Sequence, residues 1–239
     1  MTKHPTSRRV HRTTTDDDKF LTSVLETSVW ARTHGRWMTI AGVSVIVALA
    51  VFAYMRNISN QRDQKAAREL VTVRSTMLSG NKQLAKSDLQ KFVKSYDNTS
   101  SGDVARLMLG QTELEANEPQ NAVATLEPVA KDAGTPLGYS AALMLAAAHE
   151  AAKQPDQADR VYLRIADDAR FDFQKREALD RAARLRLERG NPTGAVQLYE
   201  RILATFDAMD PEKVDLQQKN VYAMRLAEIR ALAPANARS

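Results

Sequence analysis

Small and large apolar residues recur along the chain at a fixed long interval. Four alanines stand 37, 36 and 37 residues apart, and larger apolar side chains follow each of them four and seven positions later. Offsets of four and seven place the three side chains of each set on one face of a helix. The twelve positions are Ala85, Leu89, Phe92, Ala122, Leu126, Val129, Ala158, Tyr162, Ile165, Ala195, Tyr199 and Ile202. A period in the thirties predicts an α-solenoid of stacked helix pairs with these residues in its core.

Turn-forming residues divide this region into four predicted helix pairs. The expected pairs are 60–79 with 83–95, 103–116 with 120–132, 137–153 with 156–169, and 173–189 with 193–206. Glycine, asparagine and proline separate the helices. Asp210-Pro211 is expected to begin a last helix, to about Leu232, that caps the open end of the stack. The repeat domain is therefore predicted to span 57–232, followed by a flexible tail at 233–239.

The repeats resemble tetratricopeptide repeats. Leu109-Gly110, then Ala122 twelve residues after the glycine, then Leu126, follow that repeat's Leu-Gly…Ala…Phe spacing. Units three and four keep the spacing with alanine in the place of the glycine, and the period is two or three residues longer than the usual 34. The resemblance implies a scaffold that binds other proteins.

A single uncharged apolar run, residues 37–55, precedes the repeats. In a helix its 19 residues span roughly 28 Å, close to the thickness of the hydrocarbon core of a bilayer. Arg36 and Arg56 flank the run, and Trp37 and Tyr54 stand near its ends, where interfacial aromatic residues are common. The pattern favours a helix that spans a lipid bilayer over a buried core helix.

The predicted transmembrane helix, 36–56, carries Ala41, Ser44 and Ala48 as a strip of small residues that could seat a partner helix. A cleaved signal peptide is the alternative interpretation, because residues 48–50 have the small-x-small pattern of a cleavage site. The apolar run continues for five residues beyond this pattern, and 36 residues precede the run. Both features favour an uncleaved anchor.

Two further segments precede the anchor. Residues 1–14 are polar and basic, and they are expected to be disordered. Residues 15–35 are expected to form an amphipathic juxtamembrane helix, with Thr15 as its cap and three aspartates in its first turn. Such a helix lies on the lipid surface or docks against a membrane complex.

Charge distinguishes the membrane-proximal part from the repeats. The formal net charge of the chain is +5, but residues 1–56 carry eight Lys and Arg against four Asp and Glu, whereas residues 57–239 carry 26 against 25. A basic excess beside an apolar span fits anionic lipid headgroups and argues against a nucleic-acid partner. The chain has no cysteine, which excludes disulfides and thiolate metal sites.

Residues that could perform chemistry are few. His149-Glu150 begins like the helix of a zinc peptidase, but Lys153 occupies the place of the second histidine, so a packing or surface role is favoured. No glycine-rich phosphate loop or nucleophile elbow occurs in the sequence. The protein is therefore not expected to be an enzyme, and no catalytic, cofactor-binding or metal-binding residue is predicted.

The helix predicted over 173–189 is rich in basic residues. They are Lys175, Arg176, Arg181, Arg184, Arg186 and Arg189. Glu177 and Asp180 each precede an arginine by four residues, and Glu188 follows Arg184 by four. These spacings are typical of stabilising pairs on a solvated helix face. The alternative is that Arg184 lies in the solenoid groove and binds an acidic peptide or a chain terminus.

The order of parts resembles the bacterial ancillary SecYEG translocon subunit family, over roughly residues 16–207. The resemblance implies a single-pass protein of the bacterial inner membrane with a cytoplasmic N-terminus and a periplasmic repeat domain. It also implies two partners, the translocon and a membrane-anchored prolyl-isomerase chaperone of the periplasm. Local positive charge by itself leaves the orientation open. Two alternatives remain: a structural subunit of another energy-transducing or envelope-building complex, and a membrane-tethered enzyme or regulator.

Overall fold

The computed structural model describes residues 35–78 and 80–232. The predicted tails at 1–14 and 233–239, and the juxtamembrane helix up to residue 34, lie outside these residues. Within the described ranges the protein is helical throughout, without strands. The helices are α1 (Gly35–Leu78), α2 (Lys82–Ser95), α3 (Ser100–Glu115), α4 (Pro119–Leu126), α5 (Pro136–Ala151), α6 (Pro155–Asp168), α7 (Asp172–Glu188), α8 (Pro192–Asp207) and α9 (Leu216–Leu232). The predicted all-α fold is confirmed.

The chain divides into two compact units, Met1–Asn60 and Gln61–Ser239. In the described part of the first unit, the apolar side chains of α1 are exposed, including Val43, Ile46 and Phe52. Of the helices that the structure describes, only α1 is long and apolar enough to cross a membrane, by length and composition. Exposed apolar surface of this extent is typical of a membrane span or a signal sequence.

The residues predicted to mark the anchor all fall within α1. Arg36, Trp37 and Ala41 belong to its first two turns. The side chains of Ser44, Ala48, Tyr54 and Arg56 are exposed. The small strip and the aromatic and basic ends of the span therefore stay predictions for the protein in a bilayer.

The second unit is a stack of sequential helices. Each helix from α2 to α9 packs against the next, and α3 also contacts α5. Ala66 and Leu70 of α1 share a buried cluster with Leu89 and Phe92 of α2 and with Leu109 of α3. A second buried cluster runs from α4 to α9. Contacts between neighbours along the chain are the defining feature of a solenoid.

Eleven of the twelve repeat positions are buried, and Val129 is half-buried instead. Its neighbour Ala130 is fully buried in its place. Pro128 follows closely after the end of α4 at Leu126, and proline cannot continue the hydrogen-bond ladder of a helix. The chain goes on as a short 3₁₀ helix, Val129–Lys131, so the expected helix over 120–132 is too long.

The last helix also begins later than expected. Asp210 caps a 3₁₀ helix, Pro211–Lys213, and its side chain accepts a hydrogen bond from the backbone N–H of Glu212. The α-helix itself begins at Leu216. Its buried residues Leu226 and Ile229 join the core cluster, so α9 covers the end of the stack.

The turns inside the four helix pairs repeat the period of the core. Gly80, Asn117, Lys153 and Gly190 all have positive φ, at 82°, 59°, 60° and 72°. They stand 37, 36 and 37 residues apart, the same intervals as the alanines. Glycine and asparagine tolerate this left-handed conformation, whereas a lysine there is strained. Lys153 is the one member of the set that the local backbone disfavours.

Replacing this lysine is expected to stabilise the repeat domain. Lys153→Gly removes the Cβ from a left-handed position and should raise the free energy of unfolding by about 0.5–1 kcal/mol, after the entropy cost of glycine in the unfolded chain. Thermal unfolding of the full-length protein in mild detergent, followed by circular dichroism, measures this gain. Lys153→Ala removes the same charge but keeps the Cβ, and an equal gain there would contradict the explanation.

Candidate partner-binding groove

Helices α7, α8 and α9 enclose a groove of about 600 Å³. Asp180 and Arg184 stand four residues apart on α7, which places them on the same face. The α9 residues recur at spacings of three and four for the same reason. The lining residues are Asp180, Arg184, Tyr199, Gln218, Val221, Tyr222, Met224, Arg225 and Glu228. The groove therefore contains the arginine that the sequence singles out as a partner-binding candidate.

The floor of the groove is a fixed polar network around Asp180. The buried Tyr199 donates its hydroxyl to Asp180 at 2.8 Å, and Arg184 donates to the other carboxylate oxygen at 2.5 Å. Burial and the hydrogen bond to Asp180 raise the pKa of Tyr199 to about 12. The phenol therefore stays protonated and remains a donor at physiological pH. Both carboxylate oxygens of Asp180 are occupied, so its charge is balanced within the protein.

The rim of the groove is open and carries both charge and apolar surface. The Arg184 side chain is 64% exposed, and Arg225 pairs with Glu228 at 3.1 Å. A guanidinium has five N–H donors, so Arg184 keeps donors free beyond its bond to Asp180. Val221 and Met224 are 58% and 61% exposed. This combination fits a peptide that presents an apolar side chain beside an acidic group.

A second tyrosine–carboxylate network lies next to the groove, between α5, α6 and α7. Tyr139 donates to Glu177 and Tyr162 donates to Glu150, each at 2.6 Å, and Arg181 donates to Glu177 at 2.9 Å. Burial, with the bonds to these carboxylates, raises the pKa of both tyrosines well above its usual range. The network ties three consecutive helices together and fixes the face of α7 that continues into the groove.

The interpretation of the basic residues of α7 as members of a solvated helix face is wrong for two of them, Arg176 and Arg186. Arg176 is only 7% exposed, lies 4.2 Å from the centre of the Phe206 ring and donates to the Thr205 hydroxyl at 3.3 Å. Arg186 bridges to Asp159 of α6 at 2.9 Å. The physical reason is that α7 packs against both α6 and α8, which leaves little of its circumference to solvent.

The other charged residues of α7 follow the expected spacing in part. Arg181 pairs with Glu177, and Arg184 pairs with Asp180 rather than with Glu188. The α9 side of the groove was not anticipated from the sequence. The sequence does contain a feature that could have indicated it. Val221 and Met224 are apolar, three residues apart and exposed, so they form a second apolar face on the helix whose buried residues include Leu226 and Ile229.

The histidine singled out by the sequence has a local partner. Nδ1 of His149 lies 2.8 Å from Oε1 of Gln154, and the neighbouring Glu150 accepts the Tyr162 hydroxyl. Among the described residues, no three His, Asp or Glu side chains are grouped to hold a metal ion. In the described structure His149 therefore takes part in a local hydrogen bond of the helix end.

Comparisons with known proteins agree with this architecture. The sequence profile of the tetratricopeptide repeat-like domain matches residues 29–231. No curated protein sequence matches the chain at a significant level. The crystal structure of a Podosopora anserina protein, described as a kinesin light chain with nearly identical TPR-like repeats, is similar with a TM-score of 0.52 and 18% identity. The similarity covers 74% of this chain and 91% of that chain, and a single-substitution variant of the same protein gives the same values. The chain belongs to the tetratricopeptide repeat-like domain family.

Proposed function

We propose that the protein is a membrane-anchored scaffold whose repeat domain binds partner proteins through the groove formed by α7, α8 and α9. One observation carries the proposal: a helix with exposed apolar side chains, long enough to span a bilayer, leads into a stack of helices, and the match to the repeat-like family covers both parts. Helical repeat stacks provide extended binding surfaces for other proteins. An anchor confines such a surface to the membrane, where it meets membrane-bound partners at high local concentration.

The specific role we propose is that of an accessory subunit beside the protein-translocation machinery of the bacterial inner membrane. The repeat domain would lie in the periplasm, near the translocon and a membrane-anchored chaperone, and would help to pass emerging chains between them. The order of the parts along the chain supports this role. In this role the protein contributes binding surface and performs no catalysis.

The groove suggests how a partner segment would be held. Val221 and Met224 offer an apolar contact, and Arg184 offers guanidinium donors to an acidic group one or two residues away. Asp180 and Tyr199 keep that guanidinium in place before binding, which reduces the entropy lost on association. Arg184 is thus our candidate for charge recognition, and Met224 our candidate for the apolar anchor.

A substitution at the apolar anchor tests the groove. Met224→Asp places a charge on an exposed position, so the fold should persist while the recovery of partners from membranes falls about tenfold. The measurement is a tagged pull-down of the full-length protein in mild detergent, quantified by mass spectrometry. Val71→Asp is the matched control, since Val71 is also exposed but lies outside the groove. Equal loss in both variants would contradict the groove as the binding site.

The proteins recovered with the wild type test the specific role. Translocon subunits together with a periplasmic prolyl isomerase would support it. Another complex at equal stoichiometry, without translocon subunits, would contradict it and would make the protein a structural subunit of that complex. Deleting residues 1–56 then separates binding by the repeat domain from binding by the anchor.

A further inference from the structure

A smaller polar pocket lies apart from the groove, between the end of α4 and helices α5 and α6. Its volume is about 270 Å³, and it shares no lining residue with the groove. The apolar part of its wall is formed by Leu145 and Val161. Its polar lining consists of Glu127, His149, Gln157, Arg160 and Arg164.

Two arginines dominate the pocket. Arg160 and Arg164 stand four residues apart on α6, so both project from the same face of that helix. The guanidinium of Arg164 is partly buried: its Nη2 donates to the backbone carbonyl of Ala130 at 3.3 Å, whereas its Nε is buried without a hydrogen-bond partner. Within residues 35–78 and 80–232, Arg160 pairs with no carboxylate. The exposed guanidinium of Arg160 therefore has donors available to an acceptor in the pocket.

Three arginines of the neighbouring helix differ in this respect, whereas Arg176 of that helix is buried against Phe206 without a carboxylate. On α7, Arg181, Arg184 and Arg186 each pair with a carboxylate within 3 Å. In the pocket, two arginines face a single acid, Glu127, so these three side chains together carry a net charge of +1. The pocket therefore carries unbalanced positive charge, unlike the ion-paired face of α7 at Arg181 and Arg184.

We infer that this pocket binds an oxyanion, a phosphate or a carboxylate group, through Arg160 and Arg164. The planar guanidinium matches the spacing of two oxygens of such a group, and charge-assisted hydrogen bonds are among the strongest in proteins. An oxygen seated between the two arginines would accept hydrogen bonds from the exposed guanidinium of Arg160 beside the charge of Arg164. The inference does not depend on the groove, because the two sites share no residue.

The direct test uses inorganic phosphate as the probe and the full-length protein in a phosphate-free neutral detergent. The ³¹P line width of phosphate is measured at constant ionic strength as the protein concentration is raised. Saturable broadening is expected for the wild type, and Arg160→Gln should weaken binding about tenfold through the loss of a charge-assisted contact. Arg74→Gln removes the same charge from an exposed site outside the pocket and should leave binding unchanged.

A variant that is expected to bind phosphate more tightly tests whether the weaker binding of Arg160→Gln could be due to misfolding. Glu127→Gln removes the only acid of the pocket and should tighten phosphate binding about threefold, which a damaged fold would not do. Competition identifies the group: displacement by acetate assigns a carboxylate, and displacement by sulfate but not acetate assigns a phosphate. Absence of saturable binding, or equal weakening in Arg160→Gln and Arg74→Gln, would overturn the inference.

Discussion

Gly110→Val is expected to destabilise the repeat domain by about 2–3 kcal/mol. Gly110 lies in the interior of α3 and is buried. A Cβ at this position would meet Cγ and Cδ2 of Leu126, both at 2.6 Å, and Leu126 is fully buried on α4. Because Leu126 cannot move without displacing its own neighbours, the two helices must separate. In an exposed helix the same change would be favourable, since glycine is a poor helix former. The sign of the effect therefore reports the close approach of α3 and α4.

Thermal or urea unfolding of the full-length protein, followed by circular dichroism at 222 nm, measures the loss. Gln111→Val is the matched control, because Gln111 is the next residue of α3 and is exposed. It should change the free energy of unfolding by less than about 0.5 kcal/mol. If Gly110→Val were as stable as this control, the packing of α3 on α4 through Leu126 would be wrong.

Gly110 and the repeat to which it belongs show how far the sequence could predict the fold. In each unit an alanine is followed four residues later by Leu or Tyr and seven residues later by Phe, Val or Ile. These offsets place the three side chains on one helix face, so the solenoid and its core could be predicted from the sequence. Leu109-Gly110 also follows the spacing of the repeat family. Its partner Leu126 occupies the position that Tyr162 and Tyr199 fill in the next two units.

The details that were missed depend on interactions that a period does not encode. Pro128 ends α4 early because a proline ring and a missing N–H override an otherwise helical pattern, and Ala130 then replaces Val129 in the core. The start of the last helix shifted for a related reason, since Pro211 entered a 3₁₀ helix instead. Such local competition decides where helices begin and end but leaves the stack unchanged.

Charge was the least predictable part of the candidate sites. The spacing of four residues within α7 predicted the ion pairs of Arg181 and Arg184. Arg176 and Arg186 instead contact Phe206 and Asp159 of neighbouring helices, and such contacts do not follow from spacing within one helix. The turn residues offered a signal that the sequence interpretation did not use. Gly80, Asn117 and Gly190 share the period of the core, and this alone would have placed Lys153 in a left-handed turn.

Phe206→Ala is expected to cost about 3–4 kcal/mol and to release the end of the stack that forms the groove. Phe206 of α8 is 1% exposed, and its ring centre lies 6.0 Å from that of Tyr222 on α9 and 4.2 Å from the Arg176 guanidinium. The change leaves a cavity and removes the aromatic face that stabilises a buried cation. Solenoid stability is a sum of neighbour contacts, so the loss should fall on α8 and α9 rather than on the whole domain.

Hydrogen exchange of the full-length protein, read by mass spectrometry, separates this local release from global unfolding. Residues 216–232 should exchange fast in Phe206→Ala while α2 to α6 stay protected, and recovery of partners through the groove should fall with them. Phe206→Leu keeps most of the buried volume and should retain most of that protection.

Release of α9 removes one wall of the groove, with Val221, Met224 and Arg225, but leaves the pocket of Arg160 and Arg164 intact on α6. Phosphate binding that persists in Phe206→Ala while partner recovery is lost would show that the two sites act separately. Uniform exchange along the domain would contradict both the local release and the assignment of the groove to α9.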